Sequence, residues 1–305
     1  MTTSAAKKKT PIYVGRFAPS PTGPLHFGSL VAAISSYLDA KFNDGLWLLR
    51  VEDLDPPREP AGASELILGQ LFKLGLEWDG EVLFQSTRID AYQSALDELR
   101  QKSLTYKCDC TRGFIKSRGS IYDGYCRTRE NAITHDFAIR VKTSNAPIRF
   151  RDRIRGVFEQ NLEKDVGDFV ILRKDKLFAY HLAAVIDDDF QQITHIVRGS
   201  DLIDSTPRQI YLQEILGLRT PNYAHIPVAV NDQDVKLSKQ NFSQGIEVQD
   251  ASALVFKSLK FLGQDPPNKM IGASVREQLQ WATCNWDIHT VPKLANIRER
   301  SLVGE

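Results

Sequence analysis

Arg16-Phe-Ala-Pro-Ser-Pro-Thr-Gly-Pro-Leu-His26-Phe-Gly28-Ser29 is the stretch on which the reading of this chain turns. It continues Ile12-Tyr-Val-Gly-Arg-Phe17, apolar and β-branched enough to predict a short buried strand. Pro19, Pro21, Gly23 and Pro24 then exclude both helix and sheet and impose an open loop. From His26 onward Leu30, Ile34, Leu38 and Phe42 recur every four residues, the spacing of a helix with one apolar face. Asn43-Asp-Gly45 ends that helix, and Leu46-Trp-Leu-Leu-Arg-Val51 predicts a second buried strand. The helix would begin at His26–Ser29, where unpaired backbone N–H groups and the helix dipole favour an anion. Gly28 lets a phosphate or a nucleotide ring approach the backbone, and the His26 imidazole can donate to charge developing on phosphate oxygens.

A second loop answers the first. Val228-Ala-Val-Asn-Asp-Gln-Asp-Val235 reads as a strand entering a turn, and Lys236-Leu-Ser-Lys239-Gln follows. Two lysines around a small serine are mobile point charges suited to neutralising a leaving pyrophosphate. The pair of loops resembles the two signature motifs of class I aminoacyl-tRNA synthetases, written HIGH and KMSKS, with Ser29 in place of the second histidine and Gln240 in place of the final serine. The resemblance implies an ATP site made by His26, Gly28, Ser29, Lys236 and Lys239, with His26 and Lys239 catalytic and Mg²⁺ accompanying the nucleotide.

Further stretches narrow the resemblance. Arg16 to Gly23, Leu49-Arg-Val-Glu52-Asp-Leu-Asp-Pro-Pro-Arg58, Asp187-Asp, Ile196-Val-Arg198-Gly-Ser-Asp-Leu and Ser205-Thr-Pro-Arg-Gln209 are similar to glutamyl-tRNA synthetases. Only about sixty residues follow the lysine loop, so the chain looks like the short branch of that family, the glutamyl-queuosine tRNA(Asp) synthetases. That likeness implies activation of L-glutamate with ATP and its transfer to the queuosine base of tRNA(Asp). Glutamate carries one ammonium and two carboxylates, so its pocket needs an acid and at least one guanidinium. Glu52 suits the ammonium, Arg16 and Arg198 the carboxylates, and Tyr180 adds a hydroxyl. In the family, Arg16, Ala18, Ser20, Glu52, Tyr180 and Arg198 match the amino-acid-binding positions. Ala184 stands where full-length relatives tend to carry asparagine, which favours the short branch. Arg58 and Asp187–Asp189 are read as structural.

Cys108, Cys110 and Cys126 cluster, and with Cys284 they do not form a disulfide framework. A closed zinc site needs a fourth ligand, and the nearest histidine, His135, falls outside the cluster, so the residues alone leave the metal open. The short branch resembles this segment closely, and its known zinc, held by three cysteines and a tyrosine, implies a structural Zn²⁺ on Cys108, Cys110, Tyr122 and Cys126. Cys284, near Trp281 and Trp286, is expected in the core.

At 42% hydrophobic and 25% charged, the chain has ample core for a folded α/β protein. Its net charge of +1 conceals local bias: residues 101–130 hold seven Lys/Arg against three Asp/Glu, and residues 140–156 hold six against one. In the second stretch Ile148, Phe150 and Ile154 alternate with Arg149, Arg151, Arg153 and Arg155, which predicts a strand with a cationic outer face. A solvated face is its default reading, and the resemblance to an aminoacyl-transfer family favours contact with RNA phosphates. The expected architecture is a Rossmann-like class I synthetase nucleotide-binding domain with an inserted zinc-bearing segment and a small helical C-terminal domain. Its units are 1–105, 106–165 (insertion and acceptor contact), 166–240 and 241–305. Phe169-Val-Ile-Leu and Thr194 to Arg198 are expected as strands, and Pro207–Leu216, Ala251–Phe261 and Ser274–Ala282 as helices. No apolar leader opens the sequence, so a reducing cytoplasm is expected; a monomer without membrane contact is expected as well. An ordinary synthetase charging a 3′ end, a small-molecule nucleotidyltransferase and a non-catalytic RNA-binding paralogue are the rival readings.

Overall fold

A computed structural model describes residues 13–119, 121–129, 133, 136–231, 246 and 250–298. Strand β1 (Val14–Phe17) runs through the Pro/Gly loop into helix α1 (Phe27–Phe42). Leu30, Ile34 and Leu38 are buried at the expected four-residue spacing, whereas Phe42 on the final turn is half exposed. Gly45 passes so close to Tyr13 that a Cβ there would lie 2.4 Å from its carbonyl oxygen, which sets how the chain returns. β2 (Leu46–Val51) then pairs parallel with β1. Helix α2 (Ala63–Lys73) leads to β3 (Leu83–Phe84), parallel on the far edge of β2, and α3 (Ile89–Gln101) follows.

The next stretch is antiparallel. It contains β4 (Thr105–Cys108), α4 (Arg112–Arg118), β5 (Ala138–Val141), the hairpin β6 (Pro147–Asp152) and β7 (Gly156–Asn161), α5 (Leu162–Asp165) and β8 (Val170–Leu172). β4, β5 and β8 form one antiparallel sheet, so the strand expected at Phe169–Leu172 pairs with β5. The predicted arginine face is corrected in part. Ile148 is buried and Arg149 and Arg151 are exposed, as the alternation requires. The strand ends at Asp152, however, because its carboxylate accepts the N–H groups of Ile154 and Arg155 (3.0 and 2.8 Å) and closes a turn. Arg153 therefore swings back to pair with buried Asp39, and Arg155 is only half exposed.

The chain continues through α6 (Tyr180–Phe190), β9 (His195–Gly199), α7 (Thr206–Leu216), β10 (Asn222–Ile226) and β11 (Val228–Val230). β10 lies parallel to β9. Thr194, just before β9, donates its N–H to Val14 O (2.9 Å) and accepts Val14 N–H on its hydroxyl (2.8 Å). The two sets of parallel strands thus meet along β1. Helices α8 (Ala251–Phe261) and α9 (Val275–Asn285) pack on α1, and β12 (Asn296–Arg298) pairs with β11. A capping box of Ser274 and Glu277 opens α9. Asp39, 1% exposed, gathers the Tyr13 hydroxyl, Arg153 and the Trp286 indole N–H, and so ties α1 to the hairpin turn and to the end of α9. Cys284 is exposed, against expectation. α9 turns Ala282 inward, and two residues further on the helix has rotated by about 200°, which points the thiol to solvent. Among the described residues no helix is long and apolar enough to cross a membrane.

Candidate active site and cysteine knuckle

A cavity of about 550 Å³ opens at the C-terminal ends of β1, β2 and β9, where ligands sit in open parallel sheets. Arg16, Ala18, Ser20, His26, Gly28, Ser29, Glu52, Tyr180 and Arg198 all line it, so the nine described residues singled out in the sequence converge on one space. Lys236 and Lys239 lie outside the described residues.

Charge opposes charge on one wall. The Pro/Gly loop is tied to the end of β2 by Glu52 N–H donating to Pro19 O (3.0 Å), which sets Glu52 beside Arg16. Arg16 Nε donates to Asp188 Oδ1 (3.1 Å), and the same oxygen accepts Arg50 Nη1 (2.8 Å). Arg50 Nη2 also reaches Glu52 Oε1 (3.4 Å). Burial opposes ionisation of Asp188, but the Arg50 and Arg16 guanidiniums prevail and hold its carboxyl below its ordinary range. Burial pushes Glu52 up, with Arg50 and Arg16 only partly offsetting it. A cation arriving in the cavity would stabilise that carboxylate.

A second wall carries one guanidinium among neutral acceptors. Arg198 Nε donates to His225 Nε2 (3.0 Å), Nη1 to Gln209 Oε1 (2.8 Å) and Nη2 to Thr206 Oγ1 (2.8 Å). The Tyr180 hydroxyl stands 3.5 Å from Nη1. His225 turns its other nitrogen to Asp152, with Nδ1 2.6 Å from Oδ2. Burial, together with the nearby Arg198 charge, lowers the His225 pKa to about 4, although Asp152 pulls the other way. The imidazole is therefore neutral near pH 7, with its Nδ1–H given to Asp152 and its Nε2 lone pair facing Arg198.

His26 caps α1: Ser29 N–H donates to Nδ1 (3.2 Å), and the Ser29 hydroxyl lies 2.8 Å from Nε2. Ser29, the departure from the signature motif, thus holds the ring at the helix start. The far end of the lysine segment also returns here. Ile246 N–H donates to Leu25 O (2.9 Å), and Gln70 bonds to both residues.

The sulfurs of Cys108, Cys110 and Cys126 lie within 4.8 Å of one another. The Tyr122 hydroxyl is 3.4 Å from Cys108 Sγ and 3.9 Å from Cys110 Sγ, and Cys110 and Cys126 sulfurs are 3.4 Å apart. A tetrahedral ion bound at about 2.3 Å separates its sulfur ligands by about 3.8 Å, so this donor set fits one. Burial, hydrogen bonding with Cys126 and the neighbouring Cys108 push the Cys110 thiol up to about 12, and a bound cation would reverse that. Gly167, at φ +73°, bridges the Tyr122 backbone so closely that a Cβ would lie 2.1 Å from Tyr122 O.

Asp188, read as structural from the sequence, pairs with Arg16 and Arg50 and does not itself line the cavity. Arg50, His225, Gln209 and Thr206 went unread as a group, because their partners come from elements far apart in sequence. Two stretches quoted for their likeness contained three of them, Arg50 in Leu49-Arg-Val-Glu52 and Thr206 and Gln209 in Ser205-Thr-Pro-Arg-Gln209, without assigning them a role.

The catalytic domain family described as class I tRNA synthetases (E and Q) matches residues 13–264. A curated protein from Pseudomonas aeruginosa named glutamyl-Q tRNA(Asp) synthetase is 48% identical over 293 residues, 96% of this chain and 100% of that protein. One of the same name from Citrobacter koseri is 47% identical over 285 residues, 93% and 95% of the two chains. The crystal structure of a glutamate tRNA ligase from Elizabethkingia meningosepticum, in complex with its amino acid, superimposes with a TM-score of 0.78 at 27% identity. That match covers 94% of this chain and 66% of the ligase. With its α/β fold, its cavity at the strand ends and relatives alike over nearly their whole length, the chain belongs to the class I tRNA synthetases, in the glutamyl-Q tRNA(Asp) synthetase family.

Proposed function

We propose that this protein activates L-glutamate with ATP and transfers the glutamyl group to the queuosine base of tRNA(Asp). The observation that carries the reading is the convergence of Arg16, Glu52, Tyr180 and Arg198 with the His26 helix start on one cavity, in a chain 48% identical to proteins of that name. ATP lies with its phosphates at His26, Gly28 and Ser29, in the Rossmann-like half of the fold, where the start of α1 offers N–H donors. Lys236 and Lys239, which lie outside the described residues, take the phosphate-neutralising role that the resemblance implies for them. Mg²⁺ accompanying the nucleotide supplies neutralisation of phosphate charge.

Glutamate sits alongside, its ammonium against Glu52 and its carboxylates between Arg16 and Arg198, with Ala18 and Ser20 as loop contacts and Tyr180 between the walls. Its α-carboxylate attacks the α-phosphate in line, pyrophosphate leaves, and glutamyl-adenylate remains. Positioning and charge stabilisation supply the catalysis, and no side chain becomes a covalent nucleophile. An acceptor hydroxyl of the RNA then takes the glutamyl group and AMP leaves. The insertion, with the exposed Arg149 and Arg151, contacts the RNA backbone. Cys108, Cys110, Tyr122 and Cys126 hold a structural Zn²⁺, whose four protein ligands leave no position for a reacting water.

The deciding experiment is glutamate-dependent ATP–pyrophosphate exchange without tRNA, followed by nuclease mapping of radiolabelled glutamate on tRNA(Asp). Exchange with glutamate and label on the anticodon fragment are expected. Label on the 3′ terminal adenosine would instead make the protein an ordinary charging enzyme, and absence of exchange with any amino acid would make it non-catalytic. Metal analysis of the purified protein should find one zinc per chain, and Cys126→Ser should lose it.

A further inference from the structure

Arg198 is engaged on all three nitrogens, yet none of its partners carries a charge. His225, Gln209, Thr206 and the Tyr180 hydroxyl are neutral acceptors, and Leu202 adds a carbonyl oxygen at 3.4 Å. Among the described residues no carboxylate pairs with it, although the residue is only 5% exposed. Buried arginines ordinarily find an acid, as Arg16 and Arg50 do with Asp188. Here the acid is present but set back. One Asp152 oxygen accepts the N–H groups of its own turn and of His225, the other faces His225 Nδ1, and the imidazole stands between that carboxylate and the guanidinium.

We infer that His225, Gln209 and Thr206 form a neutral cradle that fixes the geometry of Arg198 while leaving its whole charge for a carboxylate of the amino-acid substrate, and that this cradle sets the preference for glutamate over glutamine. The inference rests on the function proposed above and adds three specificity-determining positions to it. The physical reason is a difference of two affinities. An arginine already paired with a carboxylate offers a ligand little more than hydrogen bonds, which an amide oxygen satisfies almost as well as an acid. An arginine held by neutral oxygens and one imidazole lone pair gains most from a negative charge, because none yet stands beside it. Asp152 contributes at a distance, by accepting Nδ1–H and so keeping the His225 lone pair turned toward Arg198.

The test converts neutral acceptors to charged ones while keeping each hydrogen bond that Arg198 makes to them. Gln209→Glu places a carboxylate beside Arg198 Nη1, where an amide oxygen stood at 2.8 Å. Thr206→Asp does the same beside Nη2, at the first residue of α7, where a helix tolerates an acid. Each variant is assayed by ATP–pyrophosphate exchange with L-glutamate and with L-glutamine. The expected result in either variant is a rise of roughly tenfold to a hundredfold in the glutamate KM, an ATP KM within about twofold of wild type, and a comparable fall in the glutamate-to-glutamine ratio. The unaltered ATP KM reports an intact fold, and the second variant serves if the first does not fold. A purely structural cradle predicts no change in glutamate recognition, because each hydrogen bond to Arg198 is kept, so an unaltered glutamate KM beside an unaltered ATP KM overturns the inference. Wild-type protein that lacks glutamate-dependent exchange overturns the proposed function first and this inference with it.

Discussion

The two walls of the cavity hold the same kind of group by opposite means. On the Arg16 wall two guanidiniums, Arg16 and Arg50, share one oxygen of Asp188, and Glu52 stands next to Arg50. Cations and anions nearly cancel there, and the arrangement is held together by charge. On the Arg198 wall a single guanidinium is held by an imidazole, an amide and a hydroxyl, and its charge is left over. The contrast matches what a doubly acidic amino acid asks of a pocket. One side is near neutral and offers the Glu52 carboxylate to an ammonium, and the other carries an unspent positive charge for a carboxylate.

The widest gap between the walls should appear when a partner is deleted. Asp188→Ala leaves two buried guanidiniums facing each other, and removing one member of such a buried network costs about 3–5 kcal/mol. Gln209→Ala removes one of several neutral acceptors and should cost about 1 kcal/mol. Urea unfolding of the two variants measures both, and equal losses would dissolve the distinction. Next in size is Arg198→Ala, which should raise the glutamate KM about a hundredfold while hardly moving the ATP KM. Parallel losses in both would place Arg198 in the scaffold and not in the pocket.

These walls also mark how far the sequence could be read. Residues beside a recognisable local pattern were legible. His26 follows a proline-broken loop and begins a four-residue apolar repeat, and the structure makes it the cap of α1. Glu52 follows an apolar strand, and it sits at the end of β2. The supports of those residues were not legible, because each is recruited by tertiary packing. Arg50 reads as one more residue of a buried strand until Asp188, 138 positions away, is seen to pair with it. His225 lies in an ordinary-looking strand, and its partner Asp152 belongs to another sheet. The arginine alternation failed at Arg153 for a local reason, the side-chain turn at Asp152, and for a distant one, the buried Asp39. Cys284 was misplaced by its tryptophan neighbours, although the rotation of α9 decides its exposure.

Acid should separate the walls by pH. In the folded protein His225 titrates at about 4, below the ordinary value near 6.5, so the unfolded chain takes up its proton first. Stability from that wall is complete above about pH 6.5 and falls as pH drops toward 4, by at most about 1.4 kcal/mol per pH unit for one proton. Asp188 is held below its ordinary carboxylate value, so its contribution is present above that value and is lost only as pH falls further, through its folded pKa. Glu52, raised mainly by burial, runs the opposite way and grows less favourable as pH rises through its folded value. His181 and His195, lowered by burial to about 3 and about 4, share the His225 window, so the measurement is a difference. His225→Gln should flatten the stability profile between pH 6.5 and 4 by about one proton's slope and leave the region below pH 4 as steep as before. A profile unchanged in the upper window would mean that the imidazole is not held neutral against Arg198.

The smallest expected effect comes from the strand that serves both sides of the contrast. β6 turns Asp152 inward to His225 and Arg149 and Arg151 outward to solvent. If the outer pair meets RNA phosphates, Arg149→Ala with Arg151→Ala should weaken tRNA(Asp) binding only several-fold at moderate salt. It should also reduce the slope of log affinity against log salt by roughly 1 to 2, since each neutralised phosphate contributes just under one unit. Glutamate-dependent pyrophosphate exchange provides the internal reference, because these side chains lie on the face away from Asp152. A weaker affinity with an unchanged salt slope would exclude phosphate contact by this strand and leave Asp152 as its only link to the chemistry. An altered glutamate KM would mean that the outer and inner faces of β6 are mechanically coupled, and the cradle would then respond to RNA.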